Sequence, residues 1–112
     1  MDKIARHKTI VRELVKEIAA MTPSTENIDN QIITDDEHGH YILFSVGWEN
    51  KERHYATFVH IDVKPDGKVW LQHDGTDLKI ALELIEKGIP KEEIVLAFHA
   101  PFRRKHTGFA VA

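Results

Sequence analysis

The chain has 112 residues, a formal net charge of −3 and no cysteine. This length suits a single domain, over residues 1–112, whose core needs no disulfide bonds. The negative balance excludes a nucleic-acid binder that depends on a large basic field, and no window approaches the roughly 20 apolar residues of a membrane-spanning helix. We therefore expect a soluble, cytoplasmic protein without a membrane partner.

An amphipathic helix opens the chain. Apolar residues recur at helical spacing over residues 3–20, with charged side chains between them, which indicates a helix with one buried face. Pro23 disfavours a helical conformation at Thr22. The polar residues 22–30 should therefore form an exposed connector.

Strand-forming stretches follow at residues 31–34, 40–48, 55–64 and 68–73. Short turns separate the last three, which is typical of an antiparallel meander. A three-residue loop at Pro65, Asp66 and Gly67, with Gly67 in the left-handed region, would set Val63 opposite Val69.

Asp74 is a suitable N-cap for a second helix that ends at Gly88. Residues 94–98 read as a buried strand, and residues 99–112 as a basic tail. We predict an α+β fold with an N-terminal helix, an antiparallel β-meander of about four to five strands, a second helix, and a short C-terminal strand and tail.

The two sheet faces can be separated by alternation. A turn at residues 50–51 would pair Val46 with Tyr55 and Ile42 with Val59. A one-residue slip in pairing would exchange the two faces, so the hydrophobic pattern selects the register. The predicted core face is then Ile42, Phe44, Val46, Tyr55, Val59, Ile61, Val63, Val69 and Leu71. The other face mixes aromatic and polar side chains, as protein interfaces do. Its predicted interaction residues are Tyr41, Phe58, His60, Asp62, Trp70 and Gln72, and we expect a homodimer to form through them.

No catalytic residue, metal site or cofactor is predicted. His60, Asp62 and His73 are metal-ligand types, but the predicted register puts His73 on the opposite face. Gln72 stands where the DxDGT motif of haloacid-dehalogenase-type phosphatases has its nucleophilic Asp, and an amide cannot replace it. A small metal-binding or hydrolytic enzyme that uses His60, Asp62 and Gln72 is the alternative.

The tail contains Arg103, Arg104 and Lys105 and no acidic residue. Cations beside Phe102 could contact nucleic-acid phosphates or an acidic protein surface. Three cations contribute little affinity at physiological salt, so both alternatives stay open.

Several segments carry a family resemblance: YILFSVGWENKERHYATFVHID, HIDVKPDGKVWLQHDGTD, GIPKEEIVLAFH and RKHTGFAVA. Over roughly the whole chain they resemble the XisI family, the fdxN element excision controlling factors of cyanobacteria. The resemblance implies a single XisI-like domain with an accessory role in developmental excision of a DNA element. It also implies two partners, namely the companion factor XisH and a separate serine recombinase that cuts and rejoins the DNA.

The resemblance implies no active site, and the residues agree, because no nucleophile lies among phosphate-stabilising arginines. We therefore predict a non-catalytic controlling factor that supports site-specific recombinase-mediated excision.

Overall fold

Helix α1 (Lys3–Met21) opens the chain in the computed structural model, which describes residues 2–112. The carboxylate of Asp2 accepts a 2.8 Å hydrogen bond from the backbone N–H of Ala5, and so satisfies an amide that a helix start leaves unpaired. The buried stripe of α1 consists of His7, Val11, Leu14, Val15 and Ile18. The predicted N-terminal helix is confirmed.

A mixed sheet of five strands follows, in the order β1-β2-β3-β4-β5. The strands are β1 (Ile28–Asp35), β2 (His40–Glu49), β3 (Glu52–Val63), β4 (Val69–Asp74) and β5 (Ile94–Leu96). The first four form the predicted antiparallel meander, whereas β5 lies parallel to β4. A parallel pair needs a crossover connection, which here contains helix α2 (Ile80–Glu86). The α+β fold is confirmed.

The hairpin of β3 and β4 forms as predicted. Gly67 has a φ of 90°, in the region that favours glycine, and Val63 lies opposite Val69. Further along, the register shifts at a β-bulge between His60 and Ile61, so that His60 lies opposite His73.

The pairing of β2 with β3 differs from the prediction at a second bulge. Phe44 lies opposite Thr57 as expected, but Leu43 lies opposite Val59, so Phe58 is the additional residue. The predicted pairing of Ile42 with Val59 is wrong, because Ile42 lies opposite His60. A bulge adds one residue to one strand and changes which residues of the two strands share a face.

The faces of β2 are therefore exchanged relative to the prediction. Tyr41 and Leu43 are 0% and 1% exposed and belong to the core. Tyr55, which was predicted to be in the core, is 67% exposed. The core lies between the helices and one face of the sheet, and its fully buried members include Tyr41, Leu43, Val59, Ile61, Leu71, Ile80, Leu84 and Ile89.

Helix α2 begins at Ile80 rather than directly after Asp74, and Lys79 at its N-cap has a φ of 54°. The carboxylate of Asp74 accepts hydrogen bonds from the backbone N–H and hydroxyl of Thr76 and from the backbone N–H of Ile80. The predicted N-cap role of Asp74 is therefore wrong, because Lys79 is the N-cap and Asp74 instead organises the loop that leads into the helix.

The C-terminal tail folds back along β5. It contains a short helix, α3 (Pro101–Arg104). The backbone N–H of Ala110 then donates a 2.9 Å hydrogen bond to the carbonyl of Ile94, and Phe109 packs against the core. Within residues 2–112, no helix is long and apolar enough to cross a membrane.

Candidate functional site

The candidate site lies on the sheet face that points away from α1 and α2, which we call the open face. Alternation along paired strands places its side chains together. Its members are His40, Ile42, Phe44, Val46 and Trp48 on β2, Arg53, Tyr55, Thr57, His60 and Asp62 on β3, and Trp70 and Gln72 on β4.

One end of the open face holds a polar group, the Asp62 cluster, formed by His40, His60, Asp62 and Gln72. His40 Nδ1 and His60 Nε2 lie 2.8 and 2.9 Å from the same oxygen, Oδ1 of Asp62. Gln72 Nε2 donates a hydrogen bond of 3.1 Å to the other oxygen, Oδ2. A carboxylate only accepts hydrogen bonds, so both rings direct an N–H at Asp62.

The side chain of Asp62 is only 8% exposed. Burial alone would raise its pKa, but the hydrogen bonds from His40, His60 and Gln72 outweigh burial and hold the pKa of Asp62 below its usual value. The cluster therefore stabilises a buried negative charge, because hydrogen bonds donated to an ionised carboxylate favour its charged form.

The cluster does not form a catalytic triad. Within residues 2–112, neither His40 nor His60 is hydrogen-bonded to a serine or threonine hydroxyl; each ring contacts Asp62. A triad needs a nucleophile on the far side of the imidazole. The arrangement can hold a charge or a cation, and it offers no activated hydroxyl.

Trp70 lies beside the cluster, opposite Asp62 across β3 and β4. The Lys64 ammonium and the Arg104 guanidinium lie 5.6 and 5.3 Å from the centre of its indole ring, within the range of cation–π attraction. Trp70 thus connects the open face to the C-terminal tail.

The other end of the open face holds an aromatic patch, formed by Phe44, Trp48, Arg53 and Tyr55. The rings of Phe44 and Tyr55 pack edge to face, with 4.7 Å between their centroids. The guanidinium of Arg53 lies 5.7 Å from the ring of Trp48 and 5.6 Å from that of Tyr55. Trp48 is 61% exposed, so large aromatic surface faces solvent here.

Four of the predicted interaction residues, His60, Asp62, Trp70 and Gln72, lie together on the open face. Two do not, and their assignment is corrected. Tyr41 is fully buried on the helix side, and Phe58, the bulge residue, packs against the core.

The prediction missed His40 and the aromatic patch, because it paired β2 with β3 without allowing for the extra residue Phe58 on β3 and so assigned the wrong face of β2 to the core. The signal was present in the regular series His40, Ile42, Phe44, Val46 and Trp48, but a second apolar series, Tyr41 and Leu43, runs between them. His73 faces His60 in the register, yet the group of potential ligand atoms consists of His40, His60 and Asp62.

The basic tail is divided in its roles. Arg104 donates hydrogen bonds to the backbone carbonyls of His99, Ala97 and Val111, and so anchors the tail. Arg103 and Lys105 are exposed. Arg103 also borders an open groove of about 430 Å³, with His99, Phe102, His106 and Thr107.

The fold and this surface define a small α+β domain, with helices on one face of a mixed sheet and an aromatic, histidine-bearing face left open. The chain belongs to the XisI family, since the family model of the XisI protein matches residues 1–111.

Two solved structures are similar over almost the whole chain. A XisI-like protein from Anabaena variabilis is 38% identical, with 97% of this chain and 99% of that chain covered and a TM-score of 0.92. The fdxN element excision controlling factor XisI from Anabaena variabilis is 29% identical, with 99% and 100% covered and a TM-score of 0.89. No curated protein matches the chain.

Proposed function

We propose that this chain is a non-catalytic controlling factor for excision of a DNA element by a site-specific recombinase in the cytoplasm of a cyanobacterium. The observation that carries the proposal is the full-length similarity to an fdxN element excision controlling factor. The Asp62 cluster supports it, because its imidazoles serve a buried carboxylate rather than a nucleophile. Control would then act through protein contacts.

The first contact is with a second copy of the chain, through the aromatic patch. Exposed aromatic rings beside an arginine are the composition of interface centres. Two copies related by a two-fold axis present the same patch to each other. Arg53 of one copy could then lie over Trp48 or Tyr55 of the other, as it does within one chain.

Light scattering on the purified chain tests the dimer. We expect a dimer at micromolar concentration, and a monomer when Trp48 and Tyr55 are both changed to alanine. Leu82→Ala is the control, because Leu82 is a large exposed apolar residue on α2, at 53% against 61% for Trp48 and 67% for Tyr55. A monomeric wild-type chain would refute this contact.

The second contact is with a XisH-like companion factor or the recombinase, through the tail groove. Phe102, which borders the groove, is 70% exposed. Arg103 and Lys105 add positive charge. The groove therefore suits an acidic protein segment that can also pack against the ring of Phe102. The net charge of the chain, −3, favours a protein over DNA as the occupant.

A reconstituted excision assay with recombinase and companion factor tests the role. We expect the chain to co-purify with one of them and to raise excision, and Arg103→Ala with Lys105→Ala to weaken both effects. Arg6→Ala with Lys16→Ala, which removes two exposed cations from α1, should leave them unchanged. If the chain co-purifies with neither protein and has no effect on excision, the proposed function is rejected. Binding of labelled duplex DNA that the tail variant alone loses would instead assign the tail to DNA.

A further inference from the structure

The Asp62 cluster brings three potential metal-ligand atoms together at the surface of the sheet. His40 Nδ1, His60 Nε2 and a carboxylate oxygen of Asp62 all lie within 4.8 Å of one another. Their positions are set by the backbone, because His40 is the direct cross-strand partner of Asp62 and His60 lies two residues before Asp62 on β3. A preformed set of this kind needs little rearrangement to bind a ligand.

We propose that His40, His60 and Asp62 bind one Zn²⁺ ion. Zinc lies about 2.0–2.2 Å from histidine nitrogen and carboxylate oxygen, so neighbouring ligand atoms of a tetrahedral site are about 3.3 Å apart. The two ring nitrogens are now 2.8 and 2.9 Å from Asp62 Oδ1. The two nitrogens lie within 4.8 Å of each other, so they would have to approach by up to about 1.5 Å, through side-chain rotation, to admit the ion.

The donor types select the class of metal. Two imidazoles and a carboxylate suit Zn²⁺ and its transition-metal neighbours, whereas Mg²⁺ and Ca²⁺ prefer sites made of oxygen. On binding, the ring proton that faces Asp62 moves to the far nitrogen of each neutral imidazole, and the freed lone pair binds the metal. No net proton is released from a neutral ring.

Neighbouring groups leave one carboxylate oxygen available. Gln72 holds Oδ2 of Asp62 by its hydrogen bond, so Oδ1 can face the metal, and such outer partners orient metal ligands. Lys64 opposes a cation, because its ammonium lies 4.0 Å from Oδ2. Its side chain is 41% exposed, however, so its charge is screened by solvent.

The fourth coordination position points outward, because the His40 side chain is 49% exposed. A water molecule would occupy it in the free protein, as at other zinc sites with three protein ligands. The site thus adds a metal-dependent contact point to the open face, independently of whether the excision role holds.

Isothermal titration of the tag-free, chelator-treated chain with Zn²⁺ tests the proposal. We expect one ion per chain. Loss of an outer partner costs about 10–100-fold in metal affinity, so Gln72→Leu should weaken binding in that range, and His40→Gln or His60→Gln by more. Both histidines are partly exposed, and circular dichroism checks that the variants stay folded.

His38→Gln is the matched control. His38 Nδ1 lies 2.7 Å from Asp35 in the same kind of histidine–carboxylate contact, but with a single histidine. This variant should bind Zn²⁺ as the wild type does. A wild-type chain that binds no Zn²⁺ at micromolar concentration, or wild-type affinity in both His40→Gln and His60→Gln, would overturn the site.

Discussion

The imidazole of His40, the first residue of β2, lies 2.8 Å from the carboxylate of Asp62 on β3. The two residues are 22 positions apart in the chain, and they meet because the bulge at Phe58 sets the register of the two strands. This contact decides which side chains surround the buried charge of the open face.

The Asp62 cluster should contribute to stability. Asp62→Asn removes the charge and turns one oxygen into an N–H donor that faces the donor of Gln72. We expect a loss of about 2 kcal/mol in the free energy of unfolding, the range for hydrogen bonds to charged groups, measured by urea denaturation. Asp35→Asn, at an exposed carboxylate beside His38, should cost much less. An equal loss of unfolding free energy in both variants would contradict a special stabilising role for the Asp62 cluster.

The exchanged faces of β2 predict unequal effects for two large side chains. Leu43 is 1% exposed, so Leu43→Ala should destabilise the protein by about 2–5 kcal/mol, through lost burial and a cavity. Tyr55 is 67% exposed, so Tyr55→Ala should lower the thermal midpoint much less than Leu43→Ala does. The reverse order of midpoints would show that Tyr55, and not Leu43, lies in the core.

A pH-dependent contribution comes from the hydroxyl of Tyr41, which donates a 2.7 Å hydrogen bond to Asp36. This bond, aided by the Arg12 guanidinium, holds the pKa of Asp36 below its usual value. Because the folded-state pKa is depressed, the stabilisation is complete above the unfolded value of about 4 and is lost as the pH falls through the folded value.

Tyr41→Phe should therefore cost about 1 kcal/mol near neutral pH, and its difference from the wild type should shrink in acid. Urea denaturation at several pH values measures the difference. Tyr55→Phe is the control, because Tyr55 is exposed. A constant difference across the acid range would rule out the charge on Asp36 as the cause.

Arg104 should anchor the C-terminal tail. Its guanidinium donates to the carbonyls of His99 and Ala97 at 3.0 and 3.2 Å, and it lies over Trp70. In Arg104→Ala the tail should open more easily, by about 1–2 kcal/mol, and the amide of Ala110 should exchange faster with solvent. Lysine cannot replace the planar fork, so Arg104→Lys should behave similarly. Arg103→Ala should keep the wild-type rate of amide exchange at Ala110. An unchanged rate in Arg104→Ala would show that Arg104 does not anchor the tail.

The sequence by itself determined the features that depend on local patterns. Helical spacing predicts α1, and Gly67 predicts the hairpin in which Val63 lies opposite Val69. From that hairpin, alternation correctly places His60, Asp62, Trp70 and Gln72 on one face. The family resemblance was also readable, because its motifs are contiguous segments.

Only the tertiary structure decided the orientation of β2. Both of its alternating series are apolar, with Tyr41 and Leu43 in one and Ile42 and Phe44 in the other, so the pattern alone permits either face to be buried. The bulge at Phe58 settles the choice, because the added residue lets Tyr41 and Leu43 pack beside Ile61 and Val59 in the core. The same shift brings His40 to Asp62 and exposes the aromatic patch.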